Sequence, residues 1–144
     1  MDRLVFISES QLSASEASSQ VADIISGSLV KNARLSLTGT LFFIGTHFAE
    51  ILEGPSDLLN DLMKSIQADV RHRNIVTVER IPLAVRMFPD WSMAYVGPST
   101  FVSKHVLAVL HSRTGSEQRR TTERLLELAL ELSVWRKTDE GQHT

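Results

Sequence analysis

The chain has 144 residues, of which 42% are hydrophobic and 22% are charged, a composition typical of one folded domain rather than a disordered chain. Its formal net charge of −2 gives no general attraction for nucleic acid, so we expect no nucleic-acid partner. The absence of cysteine excludes disulfides, thiolate metal sites and cysteine nucleophiles. The apolar stretch near the start is too short for a signal peptide or a membrane span, which predicts a cytoplasmic protein without membrane contact.

The first part of the chain predicts a strand, a helix and a hairpin. Residues 3–8 contain four consecutive apolar residues and predict a strand buried on both faces. A capping-box sequence followed by a helical apolar stripe predicts a helix over residues 13–29. Residues 37–44 and 47–53 are rich in strand formers and are separated by a two-residue turn, so they predict a hairpin.

The remaining elements are a second helix, two strands and two C-terminal helices. A Gly-Pro break and an apolar stripe predict a helix that ends near residue 69. Residues 75–83 and 92–96 have strand composition. Residues 99–112 and 117–136 have helical patterns, and we expect residues 138–144 to be a disordered tail.

This order predicts an α+β fold, a ferredoxin-like βαββαββ mixed sheet with two helices on one face. The two C-terminal helices are expected to cover the other face. Because strand side chains alternate, Val5 and Ile7 should face the C-terminal helices, whereas Leu4 and Phe6 should face the first two helices.

Five polar residues are candidates for a functional site. Glu50 lies in a strand predicted to be buried, where a carboxylate must be paired or neutral; the alternative is a strand face that meets solvent or a salt-bridge partner. Asn32, Asp69, Arg71 and His72 lie at or just past the predicted helix ends, where they either line a cleft or act as caps and turns. No metal-ligand spacing, phosphate loop or nucleophile motif is present, so we predict neither a metal site nor an enzyme.

Four segments in order resemble the pattern of the BLUF (blue-light-using-flavin) sensor family. They are LTG at 37–39, LEGP at 52–55, DxRH at 69–72 and FxDWSM at 88–93. The resemblance covers residues 3–96, which we expect to form a BLUF-like domain with the ferredoxin-like fold. Residues 99–136 would then be a two-helix extension packed on the sheet.

The resemblance implies a bound flavin, usually FAD, with FMN or riboflavin as possible substitutes. The flavin ring would stand between the first two helices, flanked by two isoleucines, with Asn32 bonded to its polar edge and a polar group at its rim. The cofactor-binding set implied in this way is Ile24, Ser28, Lys31, Asn32, Glu50, Ile66, Asp69, Arg71 and His72.

The positions that carry the family's photochemistry differ in this chain. A tyrosine in the first strand and a glutamine in the third correspond here to Phe6 and Glu50, whereas Trp91 and Met93 are kept. Phenylalanine has no hydroxyl proton and glutamate lacks the amide's paired donor and acceptor, so we predict impaired or altered photochemistry. Trp91 is an alternative electron donor. Lys31 could pair with Glu50 or with a flavin carbonyl.

The main alternative is a flavin-free interaction module that keeps the BLUF fold and binds a protein partner constitutively. A small enzyme that uses Glu50 and His47 is a minor alternative, because no pair of base and nucleophile is evident. Short BLUF proteins commonly assemble through their C-terminal helices. We therefore expect a homo-oligomer and an unidentified downstream protein partner, with the stripe that ends at Trp135 as core or interface.

Overall fold

The computed structural model describes the backbone of residues 1–89, 91–96 and 100–142, and their side chains except at 29, 91–96 and 133–142. Within these residues the chain forms five strands and four helices. In chain order they are β1 (Asp2–Ser10), α1 (Ala17–Arg34), β2 (Thr38–Phe43), β3 (His47–Gly54), α2 (Ser56–Ala68), β4 (His72–Pro82), β5 (Trp91–Val96), α3 (Thr100–Leu110) and α4 (Gly115–Gln142).

The strands form one mixed sheet in the order β4-β1-β3-β2-β5. β1 pairs antiparallel with both β3 and β4, and β3 pairs antiparallel with β2, whereas β2 and β5 are parallel. This is the α+β ferredoxin-like arrangement predicted from the order of the elements, and the fold class is confirmed.

The two faces of the sheet are packed by different helices. Val5 and Ile7 belong to one continuous core cluster that includes residues of α3 and α4. Leu4 and Phe6 point to the other side, where they pack with residues of α2. Both predictions about β1 are correct. We call the side of α3 and α4 the packed face and the side of α1 and α2 the cavity face.

The helix α1 begins at Ala17, later than the predicted start at residue 13, and also ends later than predicted, although the capping-box bonds form in the turn before it. The Glu16 backbone N–H bonds the Ser13 Oγ, and the Ser13 N–H bonds the Glu16 carboxylate in return. The predicted end at residue 29 is wrong, because the helix continues to Arg34. It stops in a Schellman motif, in which the Leu37 N–H bonds the Asn32 carbonyl and Ser36 has a left-handed φ of 54°.

The strand β4 begins earlier than predicted, at His72 rather than at residue 75. Asn74 has a φ of 51°, and the pairing register between β1 and β4 shifts beside it, so a β-bulge allows the strand to start before the asparagine. His72 therefore belongs to the sheet and not to the end of the second helix, and α2 itself ends at Ala68.

The loop before β5 is fixed to the sheet by buried polar groups. The buried Glu53 carboxylate accepts hydrogen bonds from the backbone N–H groups of Met87 (3.2 Å) and Phe88 (2.7 Å), and Arg3 lies 3.5 Å from it. The Arg86 guanidinium donates to the carbonyls of Glu53 (2.8 Å) and Ser36 (2.7 Å). Together these bonds hold the loop against the ends of α1 and β3.

The helices α3 and α4 cover the packed face with residues such as Val106 and Leu125. The backbone of α4 continues to Gln142, past the predicted end at residue 136. The Trp135 side chain lies outside the described residues, as do residues 143 and 144. The boundary between a domain at 3–96 and an extension at 99–136, and the disordered tail from 138, stay predictions.

Candidate functional site

A cavity of about 250 Å³ opens between α1 and α2 on the cavity face. All nine residues predicted to bind the cofactor line this cavity, and so does Phe6. Its volume lies near the lower end of the roughly 300–1,000 Å³ that small-molecule pockets occupy. The structure thus brings the predicted set together around one space, although their role in cofactor binding stays a prediction.

The cavity exists because the apolar residues of the cavity face form two clusters instead of one. One cluster gathers residues of β1, β3 and α2, with Ile66 packed against it. The other gathers residues of β2, β3 and α1, with Ile24 packed against it. The two isoleucines therefore stand on opposite sides of the gap, each half-buried, and both line the cavity. A planar apolar ligand would fit between them.

Phe6 and Glu50 are neighbours on the sheet that forms the cavity floor. They are direct cross-strand partners in the pairing of β1 with β3, and Glu50 is paired with Leu41 on its other side. Burial between these apolar neighbours raises the pKa of Glu50 to about 8. The Glu50 side chain forms no hydrogen bond with any other described side chain, so its accessible part is free to meet a ligand in the cavity.

Asn32 provides a buried hydrogen-bond donor that lacks a protein partner. The residue is only 2% exposed, and its side-chain Nδ2 has no hydrogen-bond partner in the described part of the chain. A buried amide without a partner costs free energy, which a ligand acceptor in the cavity would recover. The Asn32 amide and the apolar walls fit a flat heterocycle with carbonyl groups on its edge, which is the chemistry of a flavin ring.

His72 connects three elements beside the cavity. Its Nε2 lies 2.5 Å from the Ile66 carbonyl, which can only accept, so Nε2 carries a proton. Its Nδ1 lies 2.7 Å from the Ser8 hydroxyl and accepts from it when the ring is neutral. The ring also makes edge contacts with Phe6 and Phe48. Both ring nitrogens are thus used within the protein, and His72 supports the wall through its ring.

Asp69 and Arg71 form a two-point ion pair at the cavity mouth. The Arg71 Nε lies 2.9 Å from one carboxylate oxygen of Asp69, and its Nη2 lies 2.6 Å from the other. Hydrogen bonding to Arg71 lowers the pKa of Asp69 and keeps the carboxylate charged. Lys31, which is exposed, also lines the mouth. No ion pair joins Lys31 to Glu50, so the pairing that the sequence allowed is not formed.

Six cavity residues lie outside the predicted cofactor-binding set and the photochemistry positions: Asp23, Gly27, Leu41, Phe48, Leu62 and Ser65. A signal for the first two existed, because Asp23 and Gly27 precede Lys31 at four-residue steps and so share its side of the helix. The side chains of Trp91 and Met93 lie outside the described residues. Their backbone places Met93 beside Leu41 in the pairing of β2 with β5, on the same row as Glu50.

The described residues contain no group of three or more His, Cys, Asp or Glu side chains placed to hold a metal ion. None of the helices in the described part of the chain is both long enough and apolar enough to cross a membrane.

Comparison with known proteins identifies a family over most of the chain. The family profile that matches residues 1–94 is BLUF, described as "Sensors of blue-light using FAD". Among curated relatives, photoactivated adenylate cyclase subunit beta of Euglena longa is 41% identical over 64 residues, which are 44% of this chain and 7% of that protein. The blue light- and temperature-regulated antirepressor BluF of Escherichia coli is 33% identical over 70 residues, 49% of this chain and 17% of that protein.

Solved structures match over a larger share of both chains. The dark-state structure of BlrB, a BLUF protein, has a TM-score of 0.70 and 30% identity, and the match covers 87% of this chain and 93% of that one. The ground state of BlsA has a TM-score of 0.71 and 25% identity, with coverage of 90% and 88%. The chain thus spans nearly the full length of these two structures but less than a fifth of the curated relatives.

Proposed function

Because the chain belongs to the BLUF family of blue-light sensors, we propose that its cavity binds a flavin, FAD before FMN or riboflavin, and that its response to light is impaired or altered. The observation that carries this proposal is the direct pairing of Phe6 with Glu50 on the cavity floor. These are the two positions where the family pattern has tyrosine and glutamine. The scaffold is kept, while the groups that react beside the flavin have changed.

Different cavity residues would contact different parts of the flavin. Ile24 and Ile66 would pack against the two faces of the ring, and the unpartnered Asn32 amide would donate to an acceptor on its edge. Asp69 and Arg71 neutralise each other, and Lys31, which shares the mouth with the exposed Asp23, provides the cation that would meet a phosphate group. These roles together suit a flavin that carries a phosphate.

A bound flavin supplies light absorption and, once excited, accepts an electron and a proton. Phe6 has no O–H group and cannot provide that proton. Glu50, with its pKa raised to about 8, holds a proton at neutral pH and can donate one hydrogen bond to a ligand in the cavity. The neutral carboxyl group has both an O–H donor and a carbonyl acceptor, but Phe6 supplies no proton to drive their rearrangement, so the hydrogen bond that Glu50 would make in the dark should persist in the light.

We further propose that residues 3–96 sense the flavin while residues 99–136 contact a downstream protein or a second copy of the chain. Support comes from the packing of α3 and α4 directly on the sheet that carries Phe6 and Glu50, on its opposite face. The chain would then act as a sensor and interaction protein rather than as an enzyme.

Absorption spectroscopy of the full chain tests the proposal. The protein purified with FAD, FMN or riboflavin should be yellow, and blue light should not produce the ordinary reversible red shift. The double variant F6Y/E50Q should regain that shift, whereas F101Y/E127Q, which changes two exposed residues away from the cavity, should behave as the unmodified chain does.

Two outcomes would contradict the proposal in different ways. A protein that stays colourless with excess of all three flavins would favour the flavin-free interaction module. An ordinary red shift in the unmodified chain would show that the photochemistry does not depend on the tyrosine and glutamine positions.

A further inference from the structure

Gly27 occupies a position in α1 where a glycine lowers the stability of the helix. It lies inside α1, seven residues before the last residue of the helix, and glycine is among the least favourable residues in a helix interior. It has a regular helical conformation and is not among the residues with a positive φ. The backbone therefore gives no reason for a glycine at this position.

Packing within the protein gives no reason either. A Cβ built on Gly39 would overlap the backbone of Ile51, so that glycine is required by its neighbour, and one built on Gly54 would have to displace the Leu37 side chain. A Cβ built on Gly27 has no atom of the protein within 4 Å. The protein itself would accept a side chain there.

The space beside Gly27 is the mouth of the cavity. Asp23, Gly27 and Lys31 follow each other at four-residue steps along α1, and all three are exposed and line the cavity. Ile24, one residue further round the helix, is half-buried and lies deeper. On α2 the exposed cavity residue is Ser65, which is also small. The exposed rim of the cavity therefore has one small residue on each helix, and the space beside Gly27 is open.

We propose that Gly27 determines which ligands the cavity accepts, because its missing side chain leaves a passage for the chain that a flavin carries on its ring. The ring lies between Ile24 and Ile66, and its ribityl chain leaves through the passage between Gly27 and Ser65 toward solvent. This inference rests on the proposed flavin binding and adds a residue that selects for the ribityl substituent.

Two flavins that differ only in the chain carried on the ring can distinguish selection for that chain from a general effect on ring binding. Riboflavin carries the ribityl chain, and lumiflavin carries a methyl group at the same ring position. We expect G27L to raise the Kd for riboflavin at least roughly tenfold, since crowding a filled site costs that much, and to change the Kd for lumiflavin less than about threefold. Fluorescence quenching titrations of the full chain measure both.

The variants are chosen so that loss of folding cannot explain the result. Alanine and leucine are better helix formers than glycine, so the ligand-free G27A and G27L proteins should unfold about 3 °C higher than the unmodified chain. S26A and S26L are matched controls on the next residue of α1, which is exposed and does not line the cavity. They should bind both ligands as the unmodified chain does.

Each result decides the inference. An equal loss of both ligands, no loss of either, or a ligand-free G27A protein less stable than the unmodified chain would overturn the role of Gly27 while flavin binding stands. If the unmodified chain binds FAD or FMN but neither of these two ligands, the inference fails while the proposed function stands; if it binds no flavin at all, both fail.

Discussion

The two faces of one sheet are built differently in this protein. On the packed face, Val5 and Ile7 join a single cluster that runs without interruption into α3 and α4. On the cavity face, Phe6 belongs to one cluster and Phe48 to another, and the space between the two clusters is open. Because side chains alternate along β1 and β3, residues such as Val5 and Ile7 join the packed face, while Phe6, Phe48 and Glu50 between them line the cavity.

This difference shows where the sheet is packed less completely. Glu50 and Asn32 both line the cavity, and the Asn32 Nδ2 has no hydrogen-bond partner among the described residues. A second continuous cluster on that side would bury more apolar surface and stabilise the fold further. Residues of the packed face should therefore control folding, and residues of the cavity face should control ligand binding.

The largest expected effect comes from truncating a side chain on the packed face. Leu125 is fully buried in the continuous cluster, so L125A should lower the free energy of unfolding by about 2–5 kcal/mol. Urea denaturation measures this change from the shift of the midpoint. The cavity-face variant L62A removes the same atoms beside an existing opening and should cost less.

Flavin titration completes the comparison of these two variants. L125A should bind flavin with unchanged affinity if it is still folded, whereas L62A should bind more weakly because it loses part of the wall. Equal costs in stability for the two variants would contradict the contrast between the faces.

An effect of intermediate size is expected from Glu50, which should make the free energy of unfolding depend on pH. The pKa of Glu50 is raised from 4.5 to about 8, so between these values the folded chain binds a proton that the unfolded chain has lost. Stability should therefore fall as pH rises from about 5 to 8, with a slope of up to about 1.4 kcal/mol per pH unit from this group. E50Q should remove this slope. The free energy of unfolding of E50Q, measured relative to that of the unmodified chain, should therefore be higher at pH 8 than at pH 5.

The comparison isolates Glu50 because the other charged groups of the cavity are unchanged in E50Q. These groups are Asp23, Lys31, Asp69, Arg71 and His72. The control variant E127Q, on an exposed part of α4, should keep the slope of the unmodified chain. Parallel curves of unfolding free energy against pH for E50Q and the unmodified chain would show that Glu50 is not buried as described.

The smallest expected effect is at the end of α1. Ser36 has a φ of 54°, a left-handed conformation that costs a residue other than glycine about 1–2 kcal/mol. S36G removes that cost but makes the unfolded chain more flexible, which offsets about 0.4–1 kcal/mol. We expect S36G to raise the free energy of unfolding by about 0.5 kcal/mol, as measured by thermal unfolding. S26G, inside the same helix, should lower the free energy of unfolding.

The sequence alone predicted the faces of the sheet better than the ends of the elements. Alternation along residues 3–8 was enough to assign Val5 and Ile7 to one side, since it depends only on local geometry. The end of α1 was missed because Ser36 takes the conformation for which glycine is the usual signal. The start of β4 was missed because Asn74 reads as a turn residue, although it forms a bulge.

The residues around the cavity could be predicted only in part. Glu50 was identified as a polar residue within a strand predicted to be buried, which is a local signal. The separation of the two clusters depends on how far α1 and α2 stand apart, a distance that no periodicity contains. For that reason Leu41 and Phe48 were not predicted to line the cavity, although both lie in predicted strands.

The bonds of Arg86 and Glu53 also determine how β5 can move. The loop that leads into β5 is held at one end to Ser36, where α1 ends, and to Glu53, where β3 ends. Because these bonds hold the chain just before β5 begins, the start of the strand should move less than the rest of it. Displacement of β5 would therefore be smallest near the anchored loop and greatest at its far end, toward α3. The anchored loop would in this way direct a movement of the strand beside the cavity toward the C-terminal helices.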